Sequence, residues 1–381
     1  MFKNAMARFA FVPPYSLSSN SSYVASLDGL RALAIGLVVI GHIGLGDIVP
    51  GGFGVTVFFF ISGFLITRLL LAEYKKNGRI SITSFYKRRV LRLAPALITV
   101  VVAETLIFYA QKGFVPWGEI FAAIFYFYNY YKLFLGHEIQ PLASLWSLAV
   151  EEHYYFVFPF VFSKSVQNLT RFSLSILAAC VLVLLWRLVL VYKIDILATI
   201  PDYPFDATDC RIDSILYGAF LSLATEQEML CSRLVRRLMT WSWFVVGLAM
   251  LLATFIIRSE EFRQTTRYTI QGLALIPLFT CSLFGSQFGV VRALLEIRPL
   301  VWLGKISYSL YLWHFPIQYL FLFFFPDASL SLRFAACLPA MLVVSAISYY
   351  CVEQPFVGLR RRLHGTNKST NAATPLFDTP K

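Results

Sequence analysis

The sequence predicts an all-α polytopic integral membrane protein with about ten transmembrane helices and both termini in the cytoplasm. Three observations predict it. The first is composition: 58% of the 381 residues are hydrophobic and only 14% are charged, against about 45–50% and about 25% in soluble domains. So little charge cannot cover a soluble globule of this size. That excludes a cytosolic enzyme, a nucleic-acid module and a disordered chain. The second is the gathering of apolar residues into runs of the length that crosses a bilayer, roughly 17–25 residues. The third is where Lys and Arg fall between those runs.

The runs lie near 28–47, 53–71, 94–110, 146–162, 172–192, 212–224, 240–257, 269–285, 304–325 and 334–353. The first holds Arg31, has no small-residue cleavage site and is followed by further spans, so it reads as a span and not a cleaved signal. An aromatic-rich stretch, 117–135, is the one ambiguity. If it does not cross, the inside segments carry 22 of the 33 Lys and Arg and the outside segments carry eight; Arg31, Arg68 and Arg187 stay within spans. If it crosses, Arg360, Arg361 and Arg362 are placed outside, against the positive-inside rule. Ten spans follow, with 117–135 re-entrant or at the outer interface. The formal net charge of +12 is then mostly loop charge that orients the chain, and no nucleic-acid partner is expected. Residues 1–26 read as a cytoplasmic tail, 27–357 as one membrane domain, and 358–381 as a basic, disordered cytoplasmic tail.

Six cysteines form no C-x-x-C pair and four sit in apolar runs. They read as small buried hydrophobes, with no disulfide framework and no metal site.

Ionisable residues inside spans are costly and mark candidate sites. Arg31 and His42 are eleven positions apart, which puts them near one helix face and about 16 Å apart along the axis. They are either a snorkelling Arg with a core His, or a functional pair. Ser62, in a Gly-rich second span, either packs against its own helix or contributes a polar contact. Arg88, Arg89 and Arg92 form a basic run that anchors the cytoplasmic side and suits bidentate phosphate binding. Glu151 and Glu152 enter an apolar segment at a depth similar to His42, where a carboxylate could orient the imidazole; an interfacial cluster facing water is the other reading. Arg211 and Asp213 form either a salt bridge at a helix start or a substrate contact. Tyr308 and His314 sit on a span with Ser307 and Tyr311. Glu353, at the inner end of the last span, is either a structural partner for a loop Arg or a chemical group.

Taken in order, these motifs resemble the membrane-bound acyltransferase 3 family of bacteria. The resemblance rests on Arg31 with His42, Ser62–Phe64, Arg88–Arg92, Trp146–Glu151, Arg211–Asp213, Ser307–His314 and Val352–Pro355, and it covers about 27–357. One position departs: many members carry Asp where Thr56 stands. The resemblance implies a multi-pass O-acyltransferase of the bacterial inner membrane. It implies transfer of an acyl group, most often acetyl, from cytoplasmic acyl-CoA to a hydroxyl of an extracytoplasmic or lipid-linked carbohydrate. No bound cofactor is implied; acyl-CoA (typically acetyl-CoA) is a co-substrate. The partners implied are acyl-CoA, a carbohydrate or glycolipid acceptor, and the bilayer. Some members carry a soluble esterase-like domain after the membrane part, and this chain is too short to include one.

On that resemblance, Arg88, Arg89 and Arg92 would hold CoA phosphates with Ser62 nearby, and Arg31 would line a channel. His42 would act as general base, and Glu151 would orient it or assist in acceptor binding. Glu152, Arg211, Asp213, Tyr308, His314 and Glu353 would bind substrate or support the site. The alternative is a transporter or flippase for a glycan or lipid-linked sugar, since buried Arg, His and Glu serve proton coupling equally well.

Overall fold

The computed structural model describes residues 24–135, 140–226 and 237–356, which are helical with no strand among them. Both tails lie outside this range, apart from residues 24–26. The labelled helices are α1 Ala25–Ile40, α2 Gly51–Asn77, α3 Ile82–Lys112, α4 Trp117–Ile124, α5 Tyr128–Leu135, α6 Leu145–Ser165, α7 Leu169–Tyr192, α8 Thr208–Glu226, α9 Trp241–Ile256, α10 Thr266–Phe284, α11 Gly289–Leu295, α12 Arg298–Lys305, α13 Ser307–Phe324 and α14 Leu330–Ser348. Two π turns continue helices: Gly41–Leu45 after α1 and Tyr349–Glu353 after α14.

Helix ends follow local chemistry. Ser81 caps α3 by accepting from the Ser84 amide, and Asn168 caps α7 by accepting from Arg171. Gly78 and Gly113 end α2 and α3 in the left-handed conformation, at φ 68° and 77°.

All ten apolar runs coincide with helices. Among the described residues, five helical segments are long and apolar enough to cross a membrane on their own: Ala25–Leu45, Gly51–Asn77, Ile82–Lys112, Leu169–Tyr192 and Leu330–Phe356. A sixth forms if α10 and the helix after it, bent by 79°, are taken as one span. Three of the other helices fall short for visible reasons. Helix α6 carries Glu151, Glu152 and His153, α8 carries Arg211 and Asp213, and α9 has only 16 residues. Large apolar side chains face outward on several helices, such as Leu106 on α3, Leu182 on α7 and Val343 on α14. An outward apolar surface of this kind belongs in lipid, and the chain is a multi-pass membrane protein.

Residues 117–135 form two eight-residue helices with Tyr126 between them at φ 59°. Each is about 12 Å long, too short to cross about 30 Å of hydrocarbon.

The centre of the bundle is the crossing of α2 and α8. A Cβ on Gly63 would lie 1.9 Å from the Ile215 carbonyl oxygen, and one on Gly218 would lie 1.9 Å from that of Phe60. Only glycine lets two backbones meet this closely. The crossing sets Thr56 and Phe59 on α2 beside Arg211 at the start of α8. Of the cysteines, Cys180, Cys210, Cys281 and Cys337 are buried and free, and Cys351 is exposed and free; Cys231 lies outside the described residues.

Candidate active site

Helix α6 supplies the first wall. Ser147, Glu151 and Tyr155 are spaced i, i+4, i+8 and share a face. That face meets α2, where Ser62 lies beside Glu151. The Tyr155 hydroxyl donates to Glu151 Oε2 at 3.0 Å. Arg89 and Arg31 face the same carboxylate. Arg31, Ser62, Ser147, Glu151, Tyr308 and Tyr311 together line a cavity of about 60 Å³, here termed the proximal cavity. Tyr308 is held by donating to the Leu93 carbonyl at 3.0 Å.

From this cavity a polar line runs along α13. The Tyr311 hydroxyl donates to the Ser144 carbonyl at 2.8 Å and lies 2.6 Å from Ser147 Oγ. His314 is fully buried, with its ring centroid 5.3 Å from that of Tyr311. Its Nδ1 lies 2.6 Å from the Tyr311 carbonyl oxygen. A carbonyl only accepts, so Nδ1 carries the hydrogen. In the neutral ring Nε2 is then the basic nitrogen, and it has no partner among the described residues. The His42 ring follows at 5.1 Å from His314 and 4.5 Å from Phe315. Gln318, one turn beyond His314, donates to the His42 carbonyl. The π turn at Gly41–Leu45 breaks the α-helical repeat, and Gly44 within it has φ 140°.

The basic run of α3 divides three ways. Arg88 pairs with Glu73 at 2.8 Å. Arg89 lies 3.4 Å over the Tyr155 ring and 3.6 Å from Glu152. Arg92 and Arg31 face Glu353, which accepts from Ser309. Arg31 also approaches Asp28 at 3.9 Å. Two of the three arginines of the run are therefore engaged toward the interior, where a single open phosphate-facing cluster was expected.

Arg211 and Asp213 do not pair with each other. Residues two apart on a helix point to opposite sides. Arg211, fully buried, donates to Thr56 Oγ1 at 3.1 Å and to the Phe205 carbonyl at 3.2 Å. Asp213 accepts from Arg187 at 2.7 Å, and Thr269 lies 2.6 Å from the same guanidinium nitrogen.

The expected contact of Glu151 with His42 is likewise replaced. Glu151 is held by Tyr155 and Ser62, and the ring beside His42 is His314. Sequence reasoning passed over Tyr155, Ser147 and Gln318. Each stands four residues from a recognised polar residue, Glu151 or His314, and that spacing was the available signal. His153 turns away from the cavity toward Thr208, at 2.7 Å. Among the described residues no group of His, Cys, Asp and Glu could hold a metal ion.

A buried Arg–carboxylate end, a tyrosine-lined cavity and a paired imidazole end define a polar path through an apolar helical bundle. The chain belongs to the acyltransferase 3 family, whose acyltransferase domain matches residues 24–350. It is similar to the O-acetyltransferase OatA of Staphylococcus aureus, 33% identical over 308 residues, covering 77% of this chain and 50% of that protein. It is also similar to the peptidoglycan O-acetyltransferase OatA of Listeria monocytogenes, 30% identical over 314 residues, covering 77% of this chain and 49% of that protein. The chain thus spans about half the length of these relatives. No solved structure matches it.

Proposed function

We propose that the chain is a membrane O-acyltransferase that moves an acyl group, typically acetyl, from acyl-CoA to a hydroxyl of a carbohydrate. The observation that carries the reading is the continuous polar path from Arg31 and Glu353, through the cavity of Ser62, Glu151 and Tyr311, to His314 and His42. A path so costly to bury is maintained for use. The family match and the similarity to two OatA proteins support the same chemistry.

In this reading all ten helical runs cross the inner membrane of a bacterium, with both termini cytoplasmic. Acyl-CoA arrives at the end carrying Arg88, Arg92 and Arg31, whose guanidinium groups suit phosphate. The proximal cavity has room for a few waters and not for a thioester arm, so α6 and α13 must part to admit the donor. The acceptor approaches at the His42 end. An imidazole nitrogen takes the proton from the acceptor hydroxyl as its oxygen attacks the acyl carbonyl. The carbon–sulfur bond breaks, the ester forms, and the thiolate of CoA leaves and takes up a proton. The Ser62 and Ser147 hydroxyls, which rotate, line the cavity and can turn to donate to carbonyl oxygen as charge develops there.

The test is mass spectrometry of envelope and secreted glycans from cells lacking the gene, complemented with wild type or with His42→Ala. An acyl mass increment present only with wild type is the expected result. Unchanged acylation in all three, with a shift in glycan amount or location, would replace this reading with transport.

A further inference from the structure

A second cavity, of about 280 Å³, lies where residues 46–53 meet the stretch 254–271. Its size is near the lower end of small-ligand sites, about 300–1,000 Å³. Three guanidinium groups, Arg258, Arg263 and Arg267, line it, and Asp47 is the one carboxylate that does. Arg263 has exposed Glu260 at 3.5 Å. Arg267 donates to the Tyr268 hydroxyl at 3.2 Å, and neither Arg258 nor Arg267 has an ion pair among the described residues.

A fourth cation packs on two of the lining rings. Tyr268 and Phe205 line the cavity, and Arg211, which does not, lies 4.0 Å from the Tyr268 centroid and 5.3 Å from that of Phe205. Arg211 is fully buried, yet both of its hydrogen-bond partners, Thr56 and the Phe205 carbonyl, are neutral. Its Nε has no partner among the described residues. The nearby Asp213 is taken by Arg187. A buried cation without a contacting counter-charge is expensive, and an anion in the cavity would lower that cost.

The walls are those of a sugar site and not of a bare ion site. Phe53, Phe205, Phe255 and Tyr268 present aromatic surface, while Gln271 and Thr254 offer hydrogen bonds. Arg211 also lies 5.5 Å from the Phe59 ring and 5.6 Å from that of Trp146. Phe59 lines the proximal cavity as well. Arg211 therefore contacts residues of both linings, Tyr268 and Phe205 of the second cavity and Phe59 of the proximal one.

We infer that this second cavity binds an anionic sugar unit of the acceptor, one bearing a carboxylate or a phosphate. The inference rests on the reading of the acceptor as a carbohydrate. It makes the acceptor an acidic glycan and Arg258, Arg263 and Arg267 its selecting groups.

The experiment uses the purified full chain in phosphatidylcholine nanodiscs with no acyl donor present. Three probes are titrated: a neutral N-acetylglucosamine trisaccharide, the same trisaccharide carrying one carboxylate, and the same carrying one phosphate. At least one acidic form should bind tenfold or more tightly than the neutral form. That preference should shrink at 0.5 M salt, since the charges are near the surface. In the double variant Arg258→Gln/Arg267→Gln it should fall below threefold, while Arg171→Gln, an exposed change at the start of α7, should keep it. Equal binding of neutral and acidic probes, or a preference that survives the double variant, overturns the inference. So does a lipid outcome, in which no sugar is discriminated but phosphatidylglycerol nanodiscs raise thermal stability in wild type and not in the double variant. Because binding is read without donor, lost acyl transfer with retained charge preference would sink the acyltransferase reading alone. Intact acylation of neutral glycans without charge preference would sink this inference alone.

Discussion

The imidazole rings of His42 and His314 lie 5.1 Å apart, one on a π turn and the other at the middle of a helix. Tyr311 and Gln318 fix both members from the same helix face. The Tyr311 carbonyl sets the hydrogen of His314, and Gln318 ties the backbone of His42. His42 thus has a second imidazole in ring contact, with no hydrogen bond between the two, in place of the carboxylate that a base is usually given.

Replacing His42 with Ala is expected to lower acyl transfer by about 10²–10⁴-fold, the usual scale of a lost general base. His314→Phe, which keeps the ring volume, is expected to cost about 10–100-fold, the scale of a lost orienting partner. Acyl incorporation into glycan at matched protein level is the measurement. Wild-type rates in both variants would remove the imidazole pair from the mechanism.

His153 provides the contrast. It stands next to Glu152 in sequence but faces Thr208, away from the cavity. His153→Ala should therefore transfer at close to the wild-type rate, whereas Glu151→Gln, which alters the group that holds Tyr155 and Ser62, should be severely impaired. The same glycan assay separates the two.

The arginines of α3 should differ among themselves. Arg88→Gln removes a partly exposed pair with Glu73, a contact of the kind worth about 0–1 kcal/mol, so folding should be little affected. A rise in KM for acyl-CoA with kcat retained would mark Arg88 as a donor contact. Arg92→Gln, which faces Glu353, should lower kcat as well. Steady-state kinetics with purified protein distinguishes these outcomes.

The pair Arg187–Asp213 is fully buried on both sides. Removing one partner, as in Asp213→Asn or Arg187→Met, should cost about 3–5 kcal/mol, because the other charge is stranded. Arg187→Met/Asp213→Leu should cost less than the sum of the singles. Thermal unfolding in detergent reads this, and additive losses would show that the two side chains act independently.

The packing crossing is testable too. Gly63→Ala puts a methyl group against the Ile215 backbone, which no rotamer change relieves. A loss of about 1–3 kcal/mol is expected, seen as a lower melting temperature and a smaller monodisperse fraction.

How far the sequence was readable depends on which property set each feature. Helix positions follow from apolar run length, and all ten runs lie on helices. The expectation that 117–135 does not cross came from loop charge, and the structure has two short helices there. Polar residues were also found individually, since Arg31, Glu151 and His314 stand out against their apolar neighbours. Their partners were not. Arg211 and Asp213 are two apart and look like a pair, yet their side chains diverge to Thr56 and Arg187 on other helices. Glu151 and His42 share a depth by residue count, but depth says nothing of azimuth. Arg88, Arg89 and Arg92 look alike in a basic run, yet each meets a different carboxylate. Tertiary packing decides those choices, and it has no local signal.

The two π turns have a consequence for inheritance. Each behaves as an α-helix with one residue too many, and one carries His42 while the other carries Glu353. Dropping a single residue from either would restore an ordinary helix and swing everything beyond it by about 100°. His42 would leave His314, and Glu353 would leave Arg92, with no change of composition worth noticing. At these two places the gene is freer to change its letters than its count.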